Sequence, residues 1–407
     1  MRIVGGVYAE SCEIPRFNAL AGSGLRAAGA IASGTPNLVL HTAIDSATLD
    51  DARTVAGGLG VTTARVERDQ PVGFRYFTPM SSPSIDGPSA VADAIEATDD
   101  NILTFGLIES GRLRLTCRSL TVDPQRPRDL SGLDLSAADF ERLAIVCNLS
   151  EIRALGGDPN PITAAQAVRA RHGAEVVVVK LGAVGAAVVD DDVHRIGAHP
   201  TSKVFPIGSG DVFAGAFARS WGAGATALDA ARSASASAAW WCGTLSPSVP
   251  IDVLDGHPPA IATIAPEALV GDGDPKVYLA GPFFDIGQRW LVELVRESLR
   301  SLGASVFSPL HDVGVGGDEV AVADLQGLNG ADAVLALVDG WDPGTVYECG
   351  WAARAGIPII ALGNQFDSEA AKMLVGNGAE LHRDLSTAVY RAVWAALGMP
   401  VVPQRVA

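Results

Sequence analysis

The alternation of short apolar runs with alanine-rich amphipathic stretches constrains this chain more than any other feature. The runs NLVLHTA (37–43), NILTFGLI (101–108), LAIVCNL (143–149) and AEVVVVKLG (174–182) mostly lead into Gly, Asn or Asp and then a helical pattern. This βα alternation predicts parallel sheets with helices on both faces. A composition of 48% hydrophobic and 19% charged residues with 45 glycines suits such buried parallel strands. GRLRLTCRSLTVD (111–123) alternates apolar and polar residues and is expected to form a strand pair or an extended stretch.

The pattern breaks at 244–274, which carries Pro247, Pro250, Pro258, Pro259 and Pro266 and few periodic apolar residues. A linker over 246–274 is expected between a first domain, 1–245, and a second, 275–407, each large enough for its own core. Beyond it a new series starts: KVYLAG, a helix over 287–302, ASVFSP, a helix over 317–330, ADAVLALVD, a further helix and IPIIALG.

The bulk numbers exclude several classes. A net charge of −16 argues against unspecific binding to a nucleic acid polymer or an anionic membrane. A small anionic substrate would need a local positive site. Cys12, Cys117, Cys147, Cys242 and Cys349 are scattered without a C-x-x-C pair, which predicts reduced thiols in a cytoplasmic protein rather than a disulfide framework or zinc site. MRIVGGVYAES has no long apolar run and is not read as a signal peptide. The stretch VVVVKLGAVGAAVV carries Lys180 and is too short to span a bilayer. No G-x-G-x-x-G follows a strand with a downstream acid, so a dinucleotide-dependent oxidoreductase is disfavoured.

In the first domain, Gly208, Ser209, Gly210 and Asp211 stand between an extended segment and an alanine-rich helix. Backbone N–H groups at a helix start attract anions, and glycine lets a phosphate approach. Asp211 suits a general base, or merely complements the helix dipole. Asn148 and Glu151 follow the strand LAIVC as N-x-x-E, which also reads as an N-cap pair. Lys180 opens a Lys-Leu-Gly turn between two apolar runs. With N-x-x-E, Lys-Leu-Gly and Gly-Ser-Gly-Asp following one another in that order along the chain, residues 1–245 resemble the ribokinase-like carbohydrate kinase family.

That resemblance implies a ribokinase-like α/β/α sandwich. It implies a phosphoryl anion hole at Gly208, Ser209 and Gly210, with Asp211 as base and Lys180 on the phosphate side. Asn148 and Glu151 would organise magnesium, and ATP would be the donor. The early sugar signature departs from the family: Gly22 and Gly24 are present, but Arg26 stands near the usual Asn, and Glu10 is a loose match to a hydroxyl-binding acid. Arg26 is either a packing residue or a contact for an acceptor carrying phosphate or carboxylate. A ribose-containing acceptor is expected.

The second domain contains DGWDPGTVYECGWAARAG (339–356). Thr345 and Glu348 have capping-box spacing, so Glu348 reads locally as a cap of a helix ending near Gly356 and Pro358. Gly281, Phe283 and Phe284 follow the strand from Tyr278; glycine there suits a ligand at the sheet's carboxyl end, and the aromatics suit base stacking or core packing. Asp324 lies on a helix and is less easily explained as a cap, whereas Asp332 starts a strand.

With Tyr278 through Phe284, Asp324 through Asp332, and Asp342 through Ala352 in register, residues 275–395 resemble the nucleoside 2-deoxyribosyltransferase family. The resemblance implies a flavodoxin- or Rossmann-like doubly wound parallel sheet and no cofactor for this domain. It makes Glu348 the nucleophile at the anomeric carbon, with Asp324 and Asp342 on the nucleobase side and Tyr278 positioning Glu348. Asp332 would join the substrate contacts, and Thr345 would serve a 5′-phosphate or the cap. The glycosyl ester would pass to another base or to water, by analogy with retaining glycosidases.

The expectation is a bifunctional enzyme of nucleoside metabolism, acting on small nucleosides, nucleotides and sugars and assembling as a homo-oligomer. The alternatives are a nucleotide-binding sensor with a degenerate kinase domain, or a hydrolase-only nucleosidase.

Overall fold

In the computed structural model, all residues are described except 88–90, 92, 108, 110–111, 126–133, 258–262, 265–273, 315, 367 and 403–407. Much of the expected linker and the end of the C-terminal tail lie outside the described residues. The chain divides into two compact units, Met1–Leu181 with Gly185–Ala262, and Thr263–Ala407 with Gly182–Val184. No helix among the described residues is long and apolar enough to cross a membrane.

The first unit runs β1 (Arg2–Val4), β2 (Tyr8–Cys12), β3 (Phe17–Ala21), α1 (Ser23–Ile31), β4 (Val39–Ile44), α2 (Leu49–Gly58), β5 (Thr62–Glu67), β6 (Gly73–Tyr76) and β7 (Ser84–Asp86). It continues with β8 (Ile95–Thr98), β9 (Asn101–Phe105), β10 (Leu113–Asp123), β11 (Ala138–Asn148), α3 (Leu149–Gly156), α4 (Pro161–His172) and β12 (Val176–Lys180). It closes with β13 (Ala186–Val189), β14 (Val193–Ile196), α5 (Ser209–Gly222), α6 (Ala227–Thr244) and α7 (Ile251–Leu254). Ten strands form one sheet in the order β14-β13-β12-β11-β10-β9-β1-β4-β5, with β8 beside β10. It is parallel from β12 to β5, and β13 and β14 add an antiparallel edge. A separate four-stranded sheet has the order β3-β2-β6-β7.

Val176, Val177, Val178 and Val179 are all fully buried, which explains an unbroken apolar run where a one-faced strand would alternate. Val176 and Val178 share a core with Ala214, Phe217, Ala230 and Ala234 of α5 and α6. Of the stretch expected to be a strand pair or extended, Leu113–Asp123 form one strand, β10, which pairs in parallel with both β9 and β11. The proline-rich stretch begins as packed structure. Val249, Val253 and Leu254 belong to the first unit's core, and the Val249 N–H donates to the Ala30 carbonyl at 3.0 Å. Pro250 caps α7 there, so the prolines that suggested a linker also start a helix.

One close approach fixes α1. A Cβ on Gly24 would lie 2.6 Å from the Gly5 carbonyl carbon, so the start of α1 rests directly on the backbone leaving β1.

The second unit runs β15 (Lys276–Ala280), α8 (Ile286–Ser301), β16 (Ser305–Phe307), α9 (Asp318–Asn329), β17 (Ala333–Leu337), α10 (Pro343–Ala355), β18 (Ile359–Leu362), α11 (Ser368–Gly376), β19 (Glu380–His382) and α12 (Leu385–Ala396). Its five strands are all parallel, in the order β16-β15-β17-β18-β19. This is the doubly wound flavodoxin-like order, whose connections reverse direction between β15 and β17. A crevice at the carboxyl ends of those two strands is where such a sheet binds ligands.

Candidate active sites

In the second unit, Glu348 lies on the second turn of α10 and Tyr278 in the middle of β15. The Tyr278 hydroxyl donates to Glu348 Oε1 at 2.6 Å, and the Tyr278 ring stacks on Phe307 at 5.5 Å. Burial pushes the Glu348 carboxyl up to about 7; Tyr278 pulls it down, while Asp324 and Asp342 push it further up. The Tyr278 phenol is raised well above its ordinary value, first by burial and then by the Glu348 charge. Asp324 on α9 is also raised by burial, and its Oδ1 is buried with no partner among the described residues. One site therefore holds a raised carboxyl, a phenol that orients it and two further acids.

The capping-box reading of Thr345 and Glu348 is corrected here. The N-cap of α10 is Asp342, whose Oδ2 accepts from the Thr345 N–H at 2.8 Å and the Thr345 hydroxyl at 2.9 Å. Pro343 occupies the first helical position, where its missing N–H is harmless. Thr345 is thus buried and bonded into the cap, and Glu348 is left to Tyr278. The turn entering the helix uses left-handed backbone at both Gly340 and Trp341, with φ of 82° and 52°. For Trp341 that is a strained conformation of the kind concentrated at functional turns.

Other residues expected at this site divide. Gly281 packs its Cα side against Leu337, where a Cβ would sit 3.0 Å from that side chain. Phe283 and Phe284 lie together with ring centroids 5.6 Å apart, and Phe284 is 73% exposed. Asp332 is not brought to the site. It precedes β17 and accepts from the Lys276 N–H at 2.9 Å, at the amino ends of the parallel strands and the opposite edge of the sheet. The requirement to start two adjacent strands explains it as a turn residue.

In the first unit, Asp211 lies in the first turn of α5, after Gly208 with φ of 81°. Lys180 ends β12 beside Asn148 at the end of β11. Lys180 Nζ bonds Asp123 Oδ2 at 2.5 Å, and a Cβ on Gly210 would lie 3.2 Å from that ammonium. Burial pushes Asp123 up to about 7 despite Lys180, with Glu151 and Asp211 adding to the push. Burial works against charge on Lys180, but Asp123, Glu151 and Asp211 together raise its pKa. Asn148 and Glu151 form the reciprocal capping box of α3: Asn148 Oδ1 accepts from the Glu151 N–H at 2.9 Å, and Glu151 Oε2 from the Asn148 N–H at 2.8 Å.

Arg26 enters this cluster from α1. Its guanidinium donates to Asp211 Oδ2 at 2.6 Å and to Glu10 Oε2, and lies 5.3 Å from the Trp241 ring centroid. Burial opposes the Arg26 charge, but Glu10 and Asp211 raise its pKa overall. Glu10 Oε1 accepts the Gly22 N–H at 2.9 Å. Gln125 Nε2 donates to the other Asp211 oxygen, Oδ1. Sequence reasoning missed Asp123, Gln125 and Trp241. Asp123 was signalled by its place at the end of an alternating run before Pro124; nothing local marked Gln125 or Trp241.

A second charged cluster centres on Arg68. Arg68 donates to Asp45, Glu109 and the Val7 carbonyl, and Tyr8 donates to Glu109 at 2.6 Å. These groups tie together the chain leaving β1, β4, β5 and β9.

The model for the pfkB family carbohydrate kinase matches residues 139–253, and the model for nucleoside 2-deoxyribosyltransferase matches residues 277–383. The two matched regions follow one another along the chain, the kinase-family match first. The pfkB region contains Asn148, Glu151, Lys180 and Asp211, and the transferase-family region contains Tyr278, Asp324, Asp342 and Glu348. No curated protein resembles the chain closely enough to count as a match. Among solved structures, a mutant of phosphofructokinase-2 from Escherichia coli is similar at 16% identity, covering 63% of this chain and 97% of its own, with a TM-score of 0.47. Ribokinase from Thermotoga maritima is similar at 17% identity, covering 63% and 98%, with a TM-score of 0.45. A pyrophosphate-dependent kinase in the ribokinase family is similar at 12% identity, covering 62% and 98%, with a TM-score of 0.46.

Proposed function

We propose that the protein is a bifunctional enzyme of nucleoside metabolism. Its second unit cleaves or transfers an N-glycosidic bond, and its first unit transfers phosphate from ATP to a sugar or nucleoside hydroxyl. The observation that carries the first part is the Tyr278–Glu348 pair facing Asp324 and Asp342.

In this reading ionised Glu348 attacks the anomeric carbon. The bond from that carbon to the base nitrogen breaks, and a carbon–oxygen ester bond to Glu348 forms. Asp324 supplies the proton the departing base needs: its carboxyl is raised and one oxygen is unpartnered, whereas Asp342 spends Oδ2 on the cap. Tyr278 fixes the carboxylate's direction. The ester then passes its sugar to a second base or to water. Incubation with a panel of nucleosides and nucleotides, with and without an acceptor base, followed by mass spectrometry, distinguishes transfer from hydrolysis. Glu348→Gln should abolish both; unchanged base release in that variant would refute the nucleophile.

For the first unit, Asp211 takes the proton of the acceptor hydroxyl as the phosphoryl group arrives over the start of α5, near Lys180. The donor set fits a cation carried mainly by nucleotide oxygens. Asp123 Oδ1 is buried without a partner among the described residues, while Asn148 and Glu151 face each other in the cap. Among the described residues, no group of three or more His, Cys, Asp or Glu forms a metal site. Magnesium, when bound, would neutralise charge on the transferring phosphoryl group, with Asn148 and Glu151 holding its shell. Phosphoryl transfer to the same panel, lost in Asp211→Asn, tests this half.

A specific observation favours a second reading. Both oxygens of Asp211 are engaged, by Arg26 and Gln125. A nucleotide-binding sensor with an idle kinase site would look the same, and it would bind ATP without turnover.

A further inference from the structure

Arg26 is 6% exposed, yet its Nε has no partner among the described residues. An unpaired N–H of a buried cation is unfavourable, and such groups are rare without a ligand to meet them. The group is aimed at one place. A Cβ on Gly208 would collide with Arg26 Nε, Cδ and Cζ, so the guanidinium lies against the glycine that opens α5. On the next glycine, Gly210, the Lys180 ammonium makes the corresponding approach at 3.2 Å. A buried guanidinium and a half-buried ammonium thus flank the start of a 14-residue helix, whose positive end favours an anion.

The carboxylates decide what an anion does there. Glu10, Asp211 and Asp123 contact the two cations, so an arriving anion gains only if a cation changes partner. Lys180 is held by Asp123, whereas the Arg26 Nε beside Gly208 has no partner among the described residues.

We propose that Arg26 is an exchangeable counter-ion, which masks Asp211 when the site is empty and turns to the phosphoryl oxygens of a bound anion, unmasking Asp211. Anion arrival and freeing of the base are then one event, so Asp211 meets the acceptor hydroxyl only when a phosphoryl group is in place. The identity of the anion rests on the kinase reading, but the exchange itself does not.

The test uses the full chain and inorganic pyrophosphate, titrated calorimetrically in magnesium-free buffer. The wild type should bind. Arg26→Gln should bind at least about tenfold more weakly, the loss of one charge-assisted contact, with Arg26→Lys between them. Asp211→Asn keeps the shape but removes the competing charge, so it should bind several-fold more tightly than wild type. Removing the Asp211 charge relieves repulsion of an anion whatever Arg26 does, so the same change is also made in the Arg26→Gln background: a purely structural Arg26 predicts equal tightening in both backgrounds, the exchange predicts clearly more with Arg26 present. A folded Asp211→Asn protein with unchanged or weaker pyrophosphate affinity overturns the proposal, as does a wild type that binds none. Pyrophosphate binding with this pattern, without phosphoryl transfer to any hydroxyl, supports the exchange and removes the kinase reading. Phosphoryl transfer with no tightening in Asp211→Asn does the reverse.

Discussion

Replacing Tyr278 with phenylalanine isolates a single hydroxyl. The ring remains to stack on Phe307, and only the 2.6 Å bond to Glu348 is lost. Glu348 attacks only when ionised, so its activity limb rises with pH through about 7 in the wild type. A hydrogen bond to a charged group contributes about 1.5–3 kcal/mol. At about 1.4 kcal/mol per pKa unit, and discounted because Glu348 is only partly buried, its loss moves the limb up by roughly one unit. At pH 6 the variant should therefore be about tenfold slower than wild type, and near pH 9 the two should converge. The assay is kcat/KM for base release from pH 5 to 9.5, using the best substrate of the panel. The limb is a property of the acid cluster as a whole, so Glu348→Gln must abolish it. A limb that stays in place, moves to lower pH, or gives way to an equal loss at every pH refutes the reasoning.

Two further expectations concern stability. The folded-state pKa of Glu348 is raised, so its neutral form favours folding below the ordinary carboxyl value, and that contribution is lost as pH rises through about 7. Glu348→Gln should therefore raise Tm at pH 8 and leave it nearly unchanged at pH 4, by calorimetry; the reverse order would contradict the linkage. Glu380 is the opposite case. Bonds from His382, Arg391 and the Val402 N–H outweigh burial and hold it down at about 2. Its contribution is present above the ordinary carboxyl value and lost as pH falls through about 2. Arg391→Met should cost about 3–5 kcal/mol of second-unit stability at pH 7 by denaturant titration, because it leaves Glu380 buried without its main partner. A loss below 1 kcal/mol would show that His382 and water replace Arg391.

The fold was legible because buried parallel strands leave a strong mark, as at 174–182 and 276–281. Boundaries were less so. Pro247 and Pro250 signal a break equally well whether the chain leaves the core or starts the short helix that packs Val253 and Leu254 into it. At the second site, Asp342 and Thr345 have the same three-residue spacing as Thr345 and Glu348, so spacing alone fitted two caps. Pro343 was the discriminating residue, since proline belongs just after the N-cap. At the first site the sequence showed Glu10, Arg26 and Asp211 as separate candidates. Their joining across residues 10 to 211 is a tertiary fact with no local signal, and so is the engagement of Gln125.

The contact between Gly5 and Gly24 bears on that joining. Arg26 lies two residues beyond Gly24 on a helix that is buried throughout. The seating of this helix is gauged by glycine hydrogens against a backbone carbonyl. One methyl group at either position would meet backbone at 2.6 Å, so the helix is expected to shift and carry the guanidinium with it, with no charged group altered. The reach of Arg26 is therefore inherited from a spacer with no chemistry of its own, which an engineer can widen there, but not narrow, without replacing any ionic partner.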